Sequence, residues 1–397
     1  MRIADRINRL GTETAFAVGA EAAAFAQEGN RVFPFHLGDI NIPTPSTVVE
    51  GAMKAIADGK TGYCPNAGIP QLREAIAADV SASHNTPYAV ENVVVQPGGK
   101  PTIGKFLSAV MNPGDEALYP NPGYPIYESQ IEYLGGTAVP YGYVEVEGNF
   151  DLDFDSIEQG ITPRTRILVL NDLQNPNGAE LSGEQRSRLA EIVLRHDLYV
   201  LCDEAYFDMR YEGVSTSFVE EPGMAERCVL LYTFSKKFAM TGWRLGASIG
   251  PKEVLDVIAK INVNDESCSN HFVQYGGLAG LQGDQTEVAA ILAELQARRD
   301  AAGIGLNAID GITAIVPNAT FYLFPNMTEV MERKGLTDYE DFRRAALHAT
   351  GVSFTTRMHF GRSYREEQNK YVRFAYSGIS VADIEESMAL FKAWCEA

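Results

Sequence analysis

The sequence predicts an α/β protein in which a mostly parallel sheet is covered by helices, with a smaller α+β domain. The first observation is that short apolar runs alternate with helix-like segments through the middle of the chain. These runs lie at 92–96, 116–119, 166–170, 198–202 and 228–232. Apolar strands separated by helices are typical of a parallel sheet that is buried on both faces.

The second observation is a change of pattern beyond about Gln282. A long helix-like run extends through Arg299, and strand-like runs follow at 312–316, 320–324 and 371–374, with a helix near 339–349. This order predicts a smaller α+β unit. We expect residues 46–282 to form the large domain and 283–397 the small C-terminal domain. Residues 1–45 would form an N-terminal arm and part of the small domain.

Each strand-like run of the large domain is followed by a loop of distinctive composition. A glycine-rich turn follows 92–96 and opens a helix that ends near Met111, and a proline-rich loop follows 116–119. A polar loop follows 166–170, and a helix is expected at 183–196. Since ligands collect beyond the carboxyl ends of parallel strands, these loops are the places to search for a site.

Composition excludes several classes of function. The 397 residues carry 52 acidic and 33 basic side chains, a net charge of −19, which argues against a nucleic-acid partner. No apolar run approaches the roughly 20 residues that span a bilayer, and the charged N-terminus lacks a signal-peptide core. Five scattered cysteines and six histidines show no metal-ligand spacing. We therefore expect that the protein binds no metal and is located in the reducing cytoplasm.

Residues 233–244 are the most informative stretch of the chain. An apolar strand ends in hydroxyl groups, the amine of Lys236 and, further on, the guanidinium of Arg244. A buried lysine loses its proton readily, and a neutral amine can form a Schiff base with a carbonyl. The alternative is that Lys236 is a solvated lysine after a strand, with Met240 and Trp243 simply part of the core.

Other polar residues follow the strands at the same predicted edge. Gly98 and Gly99 open a helix whose first amides could bind an anion, although glycine pairs are commonly turns. Tyr124 could stack on a planar ligand or anchor its loop. Asn175 could project its amide toward a ligand, although Asn-Pro is also an ordinary turn signal.

Two further charged positions need partners in the fold. Asp203 directly follows an apolar strand and would either cap a helix or pair with a buried cation, and Tyr206 lies three residues later. Arg373 lies in an apolar strand-like run and requires a carboxylate or phosphate unless it reaches solvent. Together these residues describe a ligand with a phosphate, a planar ring, a basic ring nitrogen and an aldehyde. Pyridoxal 5′-phosphate has all four.

The sequence resembles the fold-type I, class I/II aminotransferases, the aspartate aminotransferase-like family, over nearly its whole length. The resemblance implies the fold-type I large domain of pyridoxal-phosphate enzymes. The matching motifs occur in the family's order: Thr61-Gly62-Tyr63 with Gly68 and Leu72-Arg73, Gly98-Gly99-Lys100, Asn121-Pro122-Gly123-Tyr124-Pro125, Asn175-Pro176-x-Gly178, Asp203-x-x-Tyr206, Ser235-Lys236-x-x-x-Met240-x-Gly242-Trp243-Arg244, and Arg373.

The resemblance implies a role for each matching residue around the cofactor ring. Lys236 would form the Schiff base and shuttle the proton at the substrate Cα, whereas its neighbour Lys237 would be structural. Asp203 would keep the ring nitrogen protonated. Tyr206 and Asn175 would bond the ring hydroxyl, and stacking on the ring is assigned to Tyr124.

The resemblance also implies how phosphate and substrate are held. The phosphate would be bound by the glycine-rich turn and the segment around the lysine: Gly98, Gly99, Lys100, Thr233, Ser235 and Arg244. Tyr63 would reach the phosphate of a neighbouring subunit, which makes the active form a homodimer. Arg373 would grip the substrate α-carboxylate bidentately, helped by Gly38 and Asn175, with Tyr124 beside the substrate.

Three positions depart from the family pattern. The usual Asn-Pro-Thr-Gly is Asn175-Pro176-Asn177-Gly178 here, which leaves Asn175 in place. Thr233 stands where a serine is usual, and the early Gly-x-Pro-Asp motif is degraded to Gly38-Asp39-Ile40-Asn41.

The resemblance implies a ping-pong transaminase that moves an amino group between an L-amino acid and a 2-oxo acid, with aspartate and 2-oxoglutarate as one possible pair. A carbon–sulfur β-lyase of the same fold is the alternative, because Lys236 and Arg373 would serve either reaction. A non-catalytic regulatory module is disfavoured, since no helix-turn-helix extension accompanies this acidic chain. A dinucleotide oxidoreductase is excluded because no G-x-G-x-x-G follows a strand.

The substrate side chain is the part that the sequence leaves open. A second substrate carboxylate would need a cation, and Lys100, Arg357 and Arg362 are the candidates. Lys100 could instead contribute only a backbone amide to the phosphate. Aromatic residues could line an apolar pocket, namely Tyr63, Tyr124, Phe16 and Phe321.

Overall fold

The computed structural model describes residues 2–11, 14–146 and 148–397. Fourteen strands are found in these ranges: β1 Phe33–Pro34, β2 Val93–Gln96, β3 Glu116–Pro120, β4 Thr137–Tyr141, β5 Tyr143–Val146, β6 Asn149–Leu152, β7 Thr165–Leu170, β8 Tyr199–Asp203, β9 Cys228–Thr233, β10 Gly246–Ile249, β11 Tyr322–Leu323, β12 Val352–Ser353, β13 Thr355–Thr356 and β14 Val372–Ala375.

Fourteen α-helices lie within the same ranges: α1 Ala15–Gln27, α2 Ser46–Ala57, α3 Pro70–Ser83, α4 Pro101–Val110, α5 Ile126–Tyr133, α6 Phe154–Gly160, α7 Gly183–Arg195, α8 Phe234–Lys237, α9 Lys252–Asn264, α10 His271–Gln282, α11 Thr286–Asn307, α12 Thr328–Arg333, α13 Tyr339–Thr350 and α14 Val381–Glu396. No helix in the described part of the chain is both long enough and apolar enough to cross a bilayer.

A seven-stranded sheet forms the centre of the molecule, in the order β2-β10-β9-β8-β7-β3-β4. All pairs from β9 to β4 are parallel, so the prediction of a mostly parallel α/β sheet is confirmed. The exception is β10, which pairs antiparallel with both β2 and β9. This strand returns beside β9 after residues 234–245, a connection that contains only the short helix α8 and a single turn at 241–243, with no helix that crosses the sheet.

The apolar runs of the sequence form the strands because the sheet is covered on both faces. Every residue of β2, β3 and β10 is buried. One apolar cluster on the sheet contains Val95, Leu168 and Cys202, and another contains Val94, Ile167 and Leu201. Successive side chains of a strand point to opposite faces, so the two clusters are the two sides of one sheet.

The C-terminal part of the chain builds a third apolar cluster around a three-stranded sheet in the order β11-β14-β13. Residues 33–34 pair in parallel with β12, which joins the N-terminal region to this part of the molecule. No strand forms at 312–316, although the sequence predicts one. Asn307 occupies both backbone groups of Ala314, donating to its carbonyl and accepting from its N–H at 2.9 Å each. The division at residues 45 and 282 stays a prediction.

Candidate active site

A cavity of about 700 Å³ opens beyond the carboxyl ends of the parallel strands. That volume lies in the range of pockets that enclose a small organic ligand. The cavity brings together most of the residues that the sequence singled out: Gly38, Gly99, Lys100, Tyr124, Asn175, Asp203, Tyr206, Thr233, Ser235, Lys236, Arg244 and Arg373. Gly98 lies directly behind this wall, against Arg244.

Lys236 is held at the cavity wall by the turn that follows β9. Thr233 ends the strand and caps α8 by accepting a hydrogen bond at 3.2 Å from the N–H of Ser235. Lys236 Nζ donates to the carbonyl of Gly38 at 2.9 Å and lies 5.0 Å from the ring centre of Phe321. The short helix therefore directs the amine of Lys236 into the cavity.

The environment of Lys236 favours the neutral amine. Loss of water around the amine lowers the pKa of Lys236 to about 8, and the positive charges of Arg373 and Arg244 act in the same direction. The negative charges of Asp39 and Asp203 oppose this shift. A lysine with such a pKa has an unprotonated fraction near neutral pH that can act as a nucleophile or a base.

The neighbouring Lys237 has a different environment. Its Nζ lies 3.2 Å from Asp208 and 3.4 Å from Asp79. Although burial opposes the charge, these carboxylates raise the pKa of Lys237. Lys237 is thus a cation held in ion pairs away from the cavity, and of these two neighbouring lysines only Lys236 lines it.

Asp203 ends β8 with both carboxylate oxygens bonded. Tyr127 donates to Oδ2 at 2.6 Å, and the N–H of Ala205 donates to Oδ1 at 3.1 Å. Burial raises the pKa of Asp203 to about 6, while these two hydrogen bonds act to lower it. Above pH 6 the group is therefore a carboxylate in fixed orientation, suited to a buried cationic partner.

The glycine-rich turn and Arg244 form a concave, basic corner of the cavity. Gly98 has φ of +99°, and a Cβ on this residue would lie 2.1 Å from Arg244 Nη2. Arg244 adopts a left-handed conformation and donates from Nη1 to the carbonyl of Thr241 at 2.7 Å. Together with the hydroxyls of Thr233 and Ser235, 2.9 Å apart, this corner supplies donors for an anion.

Arg373 lies in β14 and also lines the cavity. Its Nη1 donates to Oδ1 of Asn175 at 2.9 Å, and its Nη2 donates to the carbonyl of His36 at 3.0 Å. Asn171 supports this arrangement, because its Oδ1 accepts from the N–H of Asn175 at 3.0 Å and its Nδ2 donates to the carbonyl of Asp203. The buried guanidinium is held in one orientation by groups from two separate segments of the chain.

Aromatic side chains form much of the remaining wall. The hydroxyls of Tyr206 and Tyr322 are 2.7 Å apart. Tyr124 packs edge-on against Tyr127, with 5.7 Å between ring centres, and Lys100 Nζ lies 5.7 Å from the centre of the Tyr124 ring.

Besides Gly98, four predicted residues do not line this cavity, and the first is Phe321, which is fully buried. Tyr63 is 90% exposed on the surface. Arg357 is fully buried and bonds Glu367 through Nε and Nη2, as well as Asn121 Oδ1 at 2.6 Å. Arg362 pairs with Glu128 and Glu132. Of the three candidate cations for a substrate side chain, only Lys100 borders the cavity.

Several wall residues were missed by the sequence reasoning, namely Leu37, Asp39, Tyr127, Asn171, Tyr322, His359 and Phe360. Asn171 carried a usable signal, because it directly follows the apolar run of β7 as Asp203 follows β8. Tyr322 and Phe360 carried none, since they look like core residues in apolar segments. Among the described residues, no three His, Cys, Asp or Glu side chains are grouped as metal ligands.

The chain belongs to the class I and II aminotransferases. The sequence model of "Aminotransferase class I and II" matches residues 33–389. The protein is accordingly a transaminase, as the motifs predicted.

Individual relatives agree over almost the full chain. The aspartate aminotransferase of Musicola paradisiaca is 31% identical over 95% of this chain and 92% of its own. A probable aspartate/prephenate aminotransferase of Aquifex aeolicus is 31% identical over 84% of this chain and 85% of its own. The structure of the aspartate aminotransferase from Thermus thermophilus with maleate superposes with a TM-score of 0.90 at 29% identity, covering 99% of this chain and all of that one.

Proposed function

We propose that the cavity binds pyridoxal 5′-phosphate and that the enzyme uses it for ping-pong transfer of an amino group between an L-amino acid and a 2-oxo acid. The observation that carries the proposal is one cavity lined by Lys236, with a pKa lowered to about 8, and by Asp203, with a pKa raised to about 6. Titratable groups with opposed shifts in one pocket are characteristic of acid–base sites.

The residues present fit this cofactor. The concave corner at Gly98 has no room for a side chain, and it combines Arg244 with two hydroxyls, a donor set suited to a phosphate. Tyr124 offers a ring for stacking, and the Asp203 carboxylate matches a protonated ring nitrogen. Tyr206 and Asn175 supply polar groups for the ring hydroxyl.

When bound, the cofactor supplies an aldehyde that links covalently to amines and a ring that accepts electrons from the Cα of an amino acid. Lys236 Nζ would take the proton from the substrate Cα, because desolvation and nearby arginines keep part of its population neutral. Asp203 would hold a proton at the ring nitrogen by its negative charge, fixed in place by Tyr127. Both groups are positioned by strand ends, so little reorganisation is needed for reaction.

Arg373 would bind the substrate α-carboxylate through its guanidinium fork, oriented by Asn175 and the His36 carbonyl. We also propose that the substrates include a dicarboxylic pair such as aspartate and 2-oxoglutarate. Lys100 supports this, because it brings an amine to the same cavity while Arg357 and Arg362 are engaged by glutamates. The names of the relatives point in the same direction.

We further propose a homodimer in which Tyr63 reaches the phosphate of the neighbouring subunit. Its support is the 90% exposure of an aromatic side chain that lies in a motif of the family. A cytoplasmic location is proposed from the composition and from the five cysteines, which are all free.

The test of the covalent role compares Lys236→Ala with Lys237→Arg. Lys236→Ala should lose the visible absorbance of the lysine-linked cofactor. Its turnover should fall by at least about 10²- to 10⁴-fold. Lys237→Arg keeps the paired charge and should retain both. Full activity and absorbance in Lys236→Ala would exclude the proposal.

The test of the substrate compares amino donors against 2-oxoglutarate, pyruvate and oxaloacetate. In Lys100→Gln, kcat/KM should fall for aspartate and stay nearly constant for an uncharged donor. Release of pyruvate and ammonia from a cysteine conjugate without an oxo acid, in the absence of transamination, would favour the β-lyase instead.

A further inference from the structure

Tyr322 connects the two ends of the site, although the sequence reasoning did not assign it a role. It begins β11, is only 2% exposed, and borders the cavity between Tyr206 and Arg373. Its register opposite Ala375 in β14 places it close to Arg373, two residues earlier on the same strand.

The hydroxyl end of Tyr322 meets Tyr206. The two oxygens are 2.7 Å apart, a short hydrogen bond in which either group could be the donor. The same hydroxyl lies against the backbone of Gly38, where a Cβ would be 2.3 Å from the oxygen. The carbonyl of Gly38 is the acceptor for Lys236 Nζ, so this hydroxyl sits among the groups around the reacting centre.

The ring of Tyr322 contacts a different residue, Arg373. The guanidinium carbon of Arg373 lies 4.5 Å from the centre of this ring and 4.7 Å from that of Phe360. Aromatic faces at such distances attract a cation and restrict the orientation of its plane. The ring therefore contributes to the fixed position of the group that would meet the substrate carboxylate.

We propose that Tyr322 is a positioning residue with two separable effects, one of its hydroxyl on Tyr206 and one of its ring on Arg373. The proposal rests on the proposed function. Each hydroxyl has one proton, so when Tyr206 donates to the ring oxygen of the cofactor, the bond between the tyrosines must be donated by Tyr322. A donor that itself accepts a hydrogen bond is polarised and becomes a stronger donor.

The hydroxyl effect is tested by the pH midpoint of the visible absorbance change of the cofactor-loaded enzyme. Tyr322→Phe should raise this midpoint by about half a pH unit, because a weaker donor at Tyr206 stabilises the deprotonated chromophore less. In a Tyr206→Phe background the same substitution should produce no shift. An unchanged midpoint in Tyr322→Phe, or an equal shift in both backgrounds, would overturn the proposal.

The ring effect is tested by steady-state kinetics. Tyr322→Phe keeps the ring and should leave KM for the amino donor unchanged, whereas Tyr322→Leu should raise it by roughly 3- to 30-fold. An increase of the same size in Tyr322→Phe would assign the effect to the hydroxyl and contradict the separation. If Tyr322→Leu does not fold, the midpoint measured on Tyr322→Phe still decides the hydroxyl effect.

Tyr376→Phe is the matched control. Tyr376 is also a buried tyrosine. Its hydroxyl donates to the carbonyl of Thr320 at 3.0 Å and not to a residue of the site. It should change neither midpoint nor KM. A wild-type enzyme that binds no pyridoxal phosphate would refute the proposed function. If the absorbance of the wild-type enzyme does change with pH and Tyr322→Phe has the same midpoint, only the role of Tyr322 is refuted.

Discussion

Arg373 donates a hydrogen bond of 2.9 Å from Nη1 to Oδ1 of Asn175, joining β14 to the loop that follows β7. The two residues are 198 positions apart in the chain. The bond aligns the guanidinium of Arg373 with the amide that we propose to lie beside the cofactor. It thereby links the expected carboxylate site to the loops at the end of the parallel sheet.

Replacing Arg373 with lysine should raise KM for the amino donor by about 10- to 100-fold. Lysine keeps the charge but loses the planar fork and the bond to Asn175, and charge-assisted hydrogen bonds contribute about 1.5–3 kcal/mol each. Steady-state kinetics measures the effect. Arg365→Lys is the control, since Arg365 pairs with Asp153 outside the cavity and should keep the wild-type KM. Equal KM values in all three proteins would contradict the role of Arg373.

Gly98→Ala should weaken pyridoxal-phosphate binding, measured by titration of the apoenzyme. The new Cβ would occupy the space of Arg244 Nη2 and displace the guanidinium from the basic corner. Gly114→Ala is matched in backbone strain, with φ of +93° against +99°, but its Cβ would meet nothing within 4 Å. A similar affinity in both variants would mean that the contact with Arg244 is unimportant for binding.

The stability of the apoenzyme should depend on pH through Lys236. Its pKa is lowered from 10.5 to about 8 in the folded protein, so between these values the unfolded chain binds more protons. Folding free energy therefore becomes more favourable as pH rises from 8 to 10.5, by on the order of 3 kcal/mol relative to Lys236→Met. Urea unfolding of both apoproteins at several pH values measures this difference. A difference that stays constant with pH would show that the Lys236 amine is not desolvated.

Arg357→Met should destabilise the protein by about 1–3 kcal/mol, because it removes the cation that bonds the partly buried carboxylate of Glu367. KM for a dicarboxylic donor should stay constant, since Arg357 does not border the cavity. Urea unfolding and kinetics check both statements. The double variant Arg357→Met with Glu367→Leu should recover part of the stability. A selective rise in KM for the dicarboxylic donor without loss of stability would instead place Arg357 at the substrate.

The central sheet and the cavity wall that contains Lys236 and Asp203 could be predicted from local patterns. Lys236 and Asp203 follow separate apolar strands, and parallel strands bring their carboxyl ends to one edge whatever their separation in the chain. The same reasoning would have found Asn171. The antiparallel β10 was not predicted, because a buried strand has the same apolar pattern in either direction. The strand predicted at 312–316 does not form, because the side chain of Asn307 bonds both backbone groups of Ala314. A contact of this kind cannot be predicted from a local apolar pattern.

Local patterns thus identified five of the seven strands of the central sheet, the lysine that presents its amine, and the family. Tertiary structure decided which cations face the cavity, because the direction of a long side chain depends on partners elsewhere: Arg357 turns to Glu367 and Asn121, and Lys100 stays at the cavity wall. It also decided the pKa shifts of Lys236 and Asp203, which arise from exclusion of water by the whole packed structure. Finally, the contact between Tyr322 and Tyr206 exists only because β11 and the segment after β8 meet in the fold.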